Sequence, residues 1–145
     1  MNELRDSGVD PLIIDAGDLF FSTANLNSKN KKSELYRAGA ILEGYNRVGC
    51  DAINVGHYEV LNGLSFLKSM EEKTEIPFLS ANLRDSQTNK LLFEPFRIIE
   101  KESLKIGIVG VTDKLPDTTK SMIADNYIEA GNHYIDEVSK QADII

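Results

Sequence analysis

The sequence predicts an α/β fold with a mixed β-sheet, and three observations lead to that class. Short apolar runs that end at glycine alternate with helical patterns, in the order strand, helix, strand, helix, strand. Two further apolar runs, separated by only a few residues, predict an antiparallel hairpin before a last helix. The length of 145 residues suits a single domain, which is large enough to build a core without disulfides or metal staples.

The first half of the chain supplies two strands and the helix between them. Residues 11–15 (PLIID) form a short apolar run typical of a buried strand, and residues 22–31 (STANLNSKNK) have the composition of a surface loop. Residues 32–48 carry apolar side chains at helical spacing, and Gly49 stands where a left-handed helix cap is favoured. Residues 51–55 (DAINV) predict the second strand, which again ends at a glycine.

A second helix and a third strand follow. Asn62 is predicted to cap the helix, because its side chain can accept a hydrogen bond from an unpaired backbone N–H of the first turn. The apolar stripe of that helix consists of Leu64, Leu67 and Met70. Residues 76–79 predict a third short strand, which completes a β-α-β-α-β unit.

The second half of the chain is predicted to contain a hairpin and a final helix. Residues 94–101 and 104–112 form the hairpin, in which the run 104–109 (LKIGIV) is apolar enough to be buried on both faces. For the remaining segments the sequence predicts turns at 82–90, irregular structure at 113–125, a helix at 132–142 and the beginning of another strand at 143–145.

Composition excludes several classes of function. Lys and Arg number 16 against 23 Asp and Glu, a net charge of −7, which argues against a nucleic-acid binder with a basic surface. The dense cationic cluster, Lys29, Lys31 and Lys32, has the character of a solvated loop. No apolar stretch approaches the ~20 residues that span a bilayer, and no secretion signal precedes the first strand in these residues.

The single cysteine, Cys50, rules out an internal disulfide and a thiolate metal cage, and its simplest role is that of a small buried residue.

Polar residues follow the predicted strands, where their carboxyl ends meet at one edge of the sheet. Asp18 follows the first strand and His57 follows the second, each next to a glycine. Ligands of α/β sheets gather outside this edge, and Gly17, Gly56 and Gly110 can take positive φ there to make sharp turns. A carboxylate and an imidazole on neighbouring strand ends are suitable ligands for a divalent transition metal. Asp18 and His57 are therefore candidate metal ligands.

The same pattern has an ordinary structural interpretation. A strand followed by glycine and a polar residue is common turn chemistry, and an aspartate after a glycine often caps a helix. Spacing alone leaves both interpretations open for Asp18 and His57. Asn82 and Asp113, which follow the third strand and the hairpin, fit turn residues better than ligands.

Four ordered segments resemble the metal-dependent 5′-nucleotidases, a branch of the calcineurin-like metallophosphoesterases with the UDP-sugar hydrolases as close relatives. They are 12–20 (LIIDAGDLF), 51–59 (DAINVGHYE), 76–83 (IPFLSANL) and 104–112 (LKIGIVGVT). The resemblance covers nearly the whole chain. It implies part of an αββα sandwich with mixed sheets and, in a longer protein, hydrolysis of a nucleotide or similar phosphate ester.

In that family a D-x-H motif, a G-D motif, a G-N-H-E motif and two later histidine motifs converge on a two-metal centre. The resemblance implies that Asp18 is the carboxylate that bridges both metals, since two dications a few ångströms apart need a shared anion. It also implies divalent metal ions as cofactors, with Mn, Zn, Mg and Fe not distinguished. The implied reaction is in-line attack of a metal-bound hydroxide on phosphorus.

The chain departs from the G-N-H-E motif, because it has GHYE at residues 56–59. His57 then occupies the position of the asparagine ligand, and imidazole binds the same metals. Tyr58 occupies the position of the catalytic histidine; it donates a hydrogen bond, but with a reference pKa of about 10 it supplies no positive charge. Losing such a contact typically lowers the rate ~10²–10³-fold. A second register matches His57 to the catalytic histidine and leaves Gly56 at the ligand position, which removes that ligand.

The other motifs of the family are absent from these residues. No D-x-H precedes residue 11, no G-H-x-H follows the hairpin, and His133 matches no ligand position. We therefore expect residues 1–145 to be a single partial domain, a fragment that lacks the first strand and the later histidine motifs. Two candidate ligands do not assemble a two-metal centre, so we expect the isolated chain to be inactive and not to bind the metals fully.

The alternative is a degenerate, non-catalytic domain of the same fold that serves binding or assembly. By resemblance the longer protein is expected to be periplasmic or extracellular, and the sequence leaves its oligomeric state open.

Overall fold

The computed structural model describes residues 6–145 and has the α/β architecture expected from the sequence. Its strands are β1 (Ile14–Asp15), β2 (Ala52–Asn54), β3 (Phe78–Leu79), β4 (Leu83–Asp85), β5 (Phe96–Lys101), β6 (Leu104–Val109) and β7 (Met122–Ala124). Its helices are α1 (Lys31–Val48), α2 (Leu64–Glu71) and α3 (Tyr127–Val138). Within residues 6–145, none of the helices has the apolar length that a bilayer crossing demands.

The strands form three small sheets. β1, β2 and β3 are parallel and lie in that order, so the first half of the chain is the predicted β-α-β-α-β unit. β5 and β6 form the predicted antiparallel hairpin. β4 pairs antiparallel with β7, and both strands lie in segments that were expected to be turns or irregular structure. A single parallel bridge joins Ile106 to Ile144, in agreement with the strand beginning predicted at 143–145.

One buried apolar cluster connects the parallel sheet to the helices. It contains Leu42 of α1, Ile53 of β2 and Leu67 of α2. Phe20 and Phe21, which follow the Asp18 turn, are also fully buried in it. Burying side chains of this size stabilises the fold by ~1.5–3 kcal/mol each. The segment after β1 is therefore anchored in the core although it belongs to no helix or strand.

The helix ends agree with the sequence in one case and differ in another. Gly49 has the left-handed φ of 71° expected of a helix cap after α1, and its N–H donates to the Tyr45 carbonyl. The prediction that Asn62 caps α2 is wrong. Gly63 occupies the cap position with a φ of 82°, and no side chain there accepts a bond from the first turn. Glycine takes this conformation without a Cβ clash, so the chain enters the helix without a side-chain cap.

The last helix begins before residue 132, where the sequence placed its start. Asn126 explains the difference, because its side-chain oxygen accepts hydrogen bonds from the N–H groups of Ile128 and Glu129. This is the usual N-cap arrangement of asparagine, and it starts α3 at Tyr127. Val138 of α3 is fully buried against the hairpin, where a Cβ on Gly107 would meet its side chain.

The prediction that residues 104–109 are buried on both faces is wrong. Only Gly107 is buried in this run, and Leu104 is 45% exposed. The strand β1 differs from its prediction in the same way, since Ile14 is 52% exposed. The physical reason is that the packing of residues 6–145 covers only part of these side chains. Apolar sequence alone did not specify what would cover them.

A charge cluster joins the hairpin to the parallel sheet at the amino ends of β1 and β2. Lys101 Nζ lies 3.0 Å from Asp10 Oδ1 and 3.1 Å from Asp51 Oδ1. The other oxygen of Asp51 accepts the N–H of Ile13 at 2.8 Å. The side chains of Lys101 and Asp51 are each only 17% exposed, so this ion pair is largely shielded from solvent.

Candidate functional site

A cavity of about 360 Å³ lies at the carboxyl ends of β1 and β2, and both candidate ligands line it. Asp18 reaches the cavity from the turn after β1, and His57 from the turn after β2. Asn54, Asp113 and Lys114 form other parts of its wall. The structure therefore brings Asp18 and His57 to one cavity, while their role as metal ligands remains a prediction.

The turn that carries Asp18 has an uncommon backbone conformation. Gly17 has a φ of 98° and Asp18 a φ of 60°, which is the left-handed region that aspartate tolerates better than most residues. The N–H of Gly17 donates to Asp15 Oδ1 at 2.8 Å. Asp18 Oδ1 accepts the N–H of Tyr58 at 2.8 Å, and among residues 6–145 this is its only hydrogen-bonded carboxylate oxygen. Oδ2 is left as the oxygen that could bind a cation.

Glu59 holds the two turns together from below the cavity. Its carboxylate is fully buried and accepts four backbone N–H groups. Oε2 accepts those of Asp18 at 2.7 Å and Gly56 at 2.8 Å, and Oε1 accepts those of Leu19 at 2.6 Å and Phe20 at 3.2 Å. Burial raises the pKa of Glu59, and the four N–H donors act in the opposite direction. Two donors on each oxygen are the bonding pattern of an ionised carboxylate.

At this edge, most of the glycines are needed because neighbouring atoms pack close to their Cα, and not because their backbone has a positive φ. Of the three glycines for which positive φ was considered, only Gly17 adopts it. A Cβ on Gly56 would lie 2.7 Å from Asp18 Oδ1, and a Cβ on Gly110 would lie 2.6 Å from the Leu79 Cβ. Both contacts are shorter than real Cβ atoms make, so each turn needs a residue without a side chain.

The two aromatic residues of the GHYE motif have ring centroids 5.8 Å apart, but only His57 is among the residues that line the cavity. The His57 ring lines the cavity, and its Nδ1 lies 3.0 Å from the Lys114 carbonyl oxygen. Because a carbonyl only accepts, Nδ1 is the donor in this bond, so Nε2 is the nitrogen through which a neutral His57 ring could bind a cation. Tyr58 instead packs against the buried core cluster and is not among the residues that line the cavity.

Asn82 lies in the bend between β3 and β4, as expected of a turn residue, and its side chain is not free to bind a ligand. It is fully buried, and its side-chain amide donates to the carbonyls of Thr112 at 2.7 Å and Asp125 at 2.9 Å. Its Oδ1 accepts the Thr112 N–H at 2.8 Å. Asn82 therefore links segments inside the fold. Asp113 is exposed and lines the cavity beside Asp18.

Asn54, the last residue of β2, was not identified from the sequence. Its side-chain amide donates to the carbonyls of Ala16 at 3.0 Å and Val111 at 2.9 Å, so it joins two walls of the cavity. Its Oδ1 is buried and has no partner among the described residues. The signal in the sequence was a polar residue at a strand end, but nothing indicated which strands it would connect.

Cys50 and His133 lie away from this cavity. Cys50 is buried, as predicted, with its Sγ 3.4 Å from the Ile13 carbonyl and 3.3 Å from the Ala52 carbonyl. Burial raises the pKa of its thiol, which makes it a poor nucleophile. His133 lies on α3 and lines a separate cavity with Arg84.

The donors on this chain fit part of a metal centre. In the described part of the chain, no three His, Cys, Asp or Glu side chains converge in a way that could hold a metal ion. Asp18 and His57 offer one free carboxylate oxygen and one imidazole nitrogen, which are donor types that divalent transition metals accept.

The fold is that of the calcineurin-like phosphoesterases. No protein-family model matches the chain. Among solved structures, the calcineurin-like phosphoesterase YfkN from Bacillus subtilis superimposes with a TM-score of 0.72 at 21% identity. The match covers 99% of this chain and 49% of that one. The chain thus forms part of the mixed-sheet αββα sandwich that the resemblance implied.

Sequence matches identify the branch within that class. The 5′-nucleotidase of Vibrio cholerae is 36% identical over 102 residues, which are 70% of this chain and 18% of that protein. Protein UshA of Salmonella pullorum is 36% identical over 104 residues, which are 72% of this chain and 18% of that protein. The chain belongs to the 5′-nucleotidase family. It spans about a fifth of the length of these relatives, in agreement with the expected fragment.

Proposed function

We propose that the chain is part of a metal-dependent phosphoester hydrolase of the 5′-nucleotidase type, in which Asp18 and His57 supply two of the metal ligands. The observation that carries the proposal is that both side chains line one cavity at the carboxyl ends of β1 and β2. The relatives' name supports a nucleotide or similar phosphate ester as substrate of the longer protein. We further propose that residues 1–145 are a partial domain without the D-x-H strand and later histidine motifs, and that the longer protein is periplasmic or extracellular.

The residues of this chain would orient the ligands and shape the cavity. Divalent metals, when bound, would supply an activated nucleophile and stabilise charge on the phosphoryl group. The Tyr58 N–H fixes one oxygen of Asp18, and the Lys114 carbonyl fixes the His57 ring. The Tyr58 side chain is partly buried, with its ring centroid 5.8 Å from that of His57. A tyrosine side chain carries no positive charge in either protonation state, so the position that the resemblance gives to the family's catalytic histidine contributes no cation.

The isolated chain is expected to show no hydrolysis, because two donors do not complete a two-metal centre. The test is an assay of the 145-residue chain with Mn²⁺ and p-nitrophenyl phosphate. The expected rate equals that of buffer with Mn²⁺. Metal-dependent turnover above that background contradicts the proposal that the chain is an incomplete site.

The ligand role of Asp18 is tested by the metal content of the longer protein. Asp18→Asn removes the charge and retains a residue that tolerates left-handed φ, so the turn is preserved. We expect this variant to lose bound metal, whereas the control Asp117→Asn, at an exposed position outside the cavity, keeps it. Unchanged metal stoichiometry in Asp18→Asn removes Asp18 from the ligand set.

A second candidate function is a degenerate domain that keeps the fold and serves binding or assembly. The observation that favours it is the Tyr58 side chain, which packs partly against the core cluster and is not among the residues that line the cavity. The flanking gene sequence discriminates between the two functions. D-x-H and G-H-x-H motifs in the flanks support the hydrolase, and their absence there supports the binding domain.

A further inference from the structure

We propose that Glu59 is the positioning residue of this site, and that its buried carboxylate sets where Asp18 stands relative to His57. The inference rests on the proposed function and deepens it. It assigns Glu59 no contact with metal or substrate, since both carboxylate oxygens are already occupied by backbone N–H groups. Glu59 acts instead through the backbone of the Asp18 turn.

The first step of the argument concerns three consecutive N–H groups. Those of Asp18, Leu19 and Phe20 all point at one carboxylate, at donor–acceptor distances between 2.6 and 3.2 Å. These residues lie outside every helix and strand, so no sheet or helix partner fixes them. Successive N–H groups around a left-handed residue form a concavity that binds anions. Here the anion comes from the chain itself.

The second step is that the two turns hold each other in place. Glu59, which follows the His57 turn, accepts three N–H groups of the Asp18 turn and the N–H of Gly56 from its own turn. In return, Asp18 Oδ1 accepts the N–H of Tyr58. Two carboxylates therefore determine the relative position of two turns that are about 40 residues apart in sequence.

The third step is a matched comparison within the same chain. Glu34 on α1 is also buried, and its carboxylate accepts the N–H of Ser22 at 2.7 Å and the Ser22 hydroxyl at 2.6 Å. It holds a loop by the same chemistry, but neither residue lines the cavity. Glu34→Gln therefore controls for the loss of a buried, loop-holding carboxylate away from the site.

The experiment measures amide hydrogen exchange by NMR in the whole chain and in its variants Glu59→Gln and Glu34→Gln. In Glu59→Gln a side-chain NH2 group, which only donates, replaces one of the two carboxylate oxygens. Two of the four backbone N–H groups that Glu59 accepts therefore lose their partner. We expect exchange in the 18–20 turn to accelerate about tenfold or more in Glu59→Gln. In Glu34→Gln the acceleration should be confined to Ser22 and its neighbours.

A second readout uses Mn²⁺ alone, whose paramagnetic broadening of NMR signals locates even a weak site. In the unmodified chain we expect broadening at Asp18 and His57. It should fall sharply in Glu59→Gln and persist in Glu34→Gln, which a general loss of stability would not produce. A folded Glu59→Gln chain with turn exchange within about twofold of the original and unchanged broadening overturns the proposal.

Two further outcomes are also decisive. If Glu59→Gln does not fold, exchange in the unmodified chain is the test. The amides of the 18–20 turn should then exchange at least about tenfold more slowly than those of the exposed loop 23–29, and equal rates overturn the proposal. If the unmodified chain shows no Mn²⁺ broadening, the evidence counts against the proposed metal function, while exchange still decides the positioning role of Glu59.

Discussion

The carboxyl ends of β1 and β2 and the β5–β6 hairpin are held by different kinds of interaction. At the strand ends, one buried carboxylate and two close glycine contacts fix the backbone, and each depends on a single residue type. The hairpin is held by a ladder of six residue pairs, and half of the Leu104 side chain faces solvent. The difference teaches that the geometry of the site is determined by few residues, whereas the hairpin, apart from the close contact at Gly107, depends on backbone pairing that many side chains permit.

The comparison predicts the largest loss of stability at Glu59. Glu59→Leu leaves four backbone N–H groups without their acceptor, those of Asp18, Leu19 and Gly56 partly buried and that of Phe20 buried, and each buried unpaired donor costs about 1–3 kcal/mol. We expect the free energy of unfolding to fall by at least about 3 kcal/mol in urea titrations. Glu100→Leu, on an exposed position of β5, should change it by less than about 0.5 kcal/mol. Equal effects of the two substitutions would show that the distinction between the regions is mistaken.

The next largest effect is expected at Gly56. Gly56→Ala places a methyl group 2.7 Å from Asp18 Oδ1 and 2.8 Å from the Asp18 nitrogen, so backbone must shift, at a cost of about 1–3 kcal/mol. Gly44→Ala is the matched control, because a Cβ there meets nothing within 4 Å and alanine favours the interior of α1. Thermal unfolding should show a lower melting temperature for Gly56→Ala and an equal or higher one for Gly44→Ala. A neutral Gly56→Ala variant argues against close packing of the turns.

A smaller effect, with a pH signature, is expected at Tyr45. Its hydroxyl donates to Asp15 Oδ2 at 2.7 Å, and this bond raises the pKa of Tyr45 to about 12. The unfolded chain loses that proton near pH 10, so between about pH 10 and 12 it binds fewer protons than the folded chain. The stabilisation is therefore complete below about pH 10 and is lost as the pH rises through about 12.

Tyr45→Phe tests this sign. At about pH 8 the variant should be less stable than the original chain by about 1–2 kcal/mol, which is at the low end for a hydrogen bond to a charged group because Tyr45 is only partly buried. The difference should shrink progressively as urea titrations are repeated towards about pH 12. A difference that is independent of pH contradicts the assignment of the pKa shift to this bond.

The smallest effect is expected on the open face of the hairpin. Leu104→Thr keeps a residue that strands favour and removes apolar surface that is already 45% exposed, so stability should change by less than about 0.5 kcal/mol. The same substitution at the fully buried Leu83 of β4 should cost at least about 2 kcal/mol. Sedimentation should also show less self-association for Leu104→Thr, since exposed apolar patches promote it. A cost at Leu104 that matches Leu83 contradicts the exposure.

The parallel half of the fold was predictable because its signals are local. Apolar spacing and Gly49 define α1, and the DAINV run defines β2. The same topology places Asp18 and His57 at one edge, because parallel strands end on the same side of a sheet. The hairpin was predictable as backbone pairing for a similar reason, since its two apolar runs are adjacent in the chain.

The remaining features depend on contacts that no local pattern contains. The GHYE motif includes Glu59, but the role of this carboxylate depends on N–H groups about 40 residues away, and backbone donors leave no mark in a sequence. Asn62 has the chemistry of a cap, but Gly63 enters α2 with positive φ and makes that cap unnecessary. The LKIGIV run shows that residues 104–109 tolerate burial, whereas their exposure depends on what packs against them.

The shielded position of Lys101 has a consequence for the response of the molecule to ionic strength. Salt screens exposed charges over roughly 8 Å at physiological concentration but affects partly buried pairs much less. Because Lys101 ends β5 and Asp51 precedes β2, their ion pair links the hairpin to the parallel sheet. The docking of these two units should therefore persist in concentrated salt, in which exposed pairs such as Arg47–Glu43 no longer contribute.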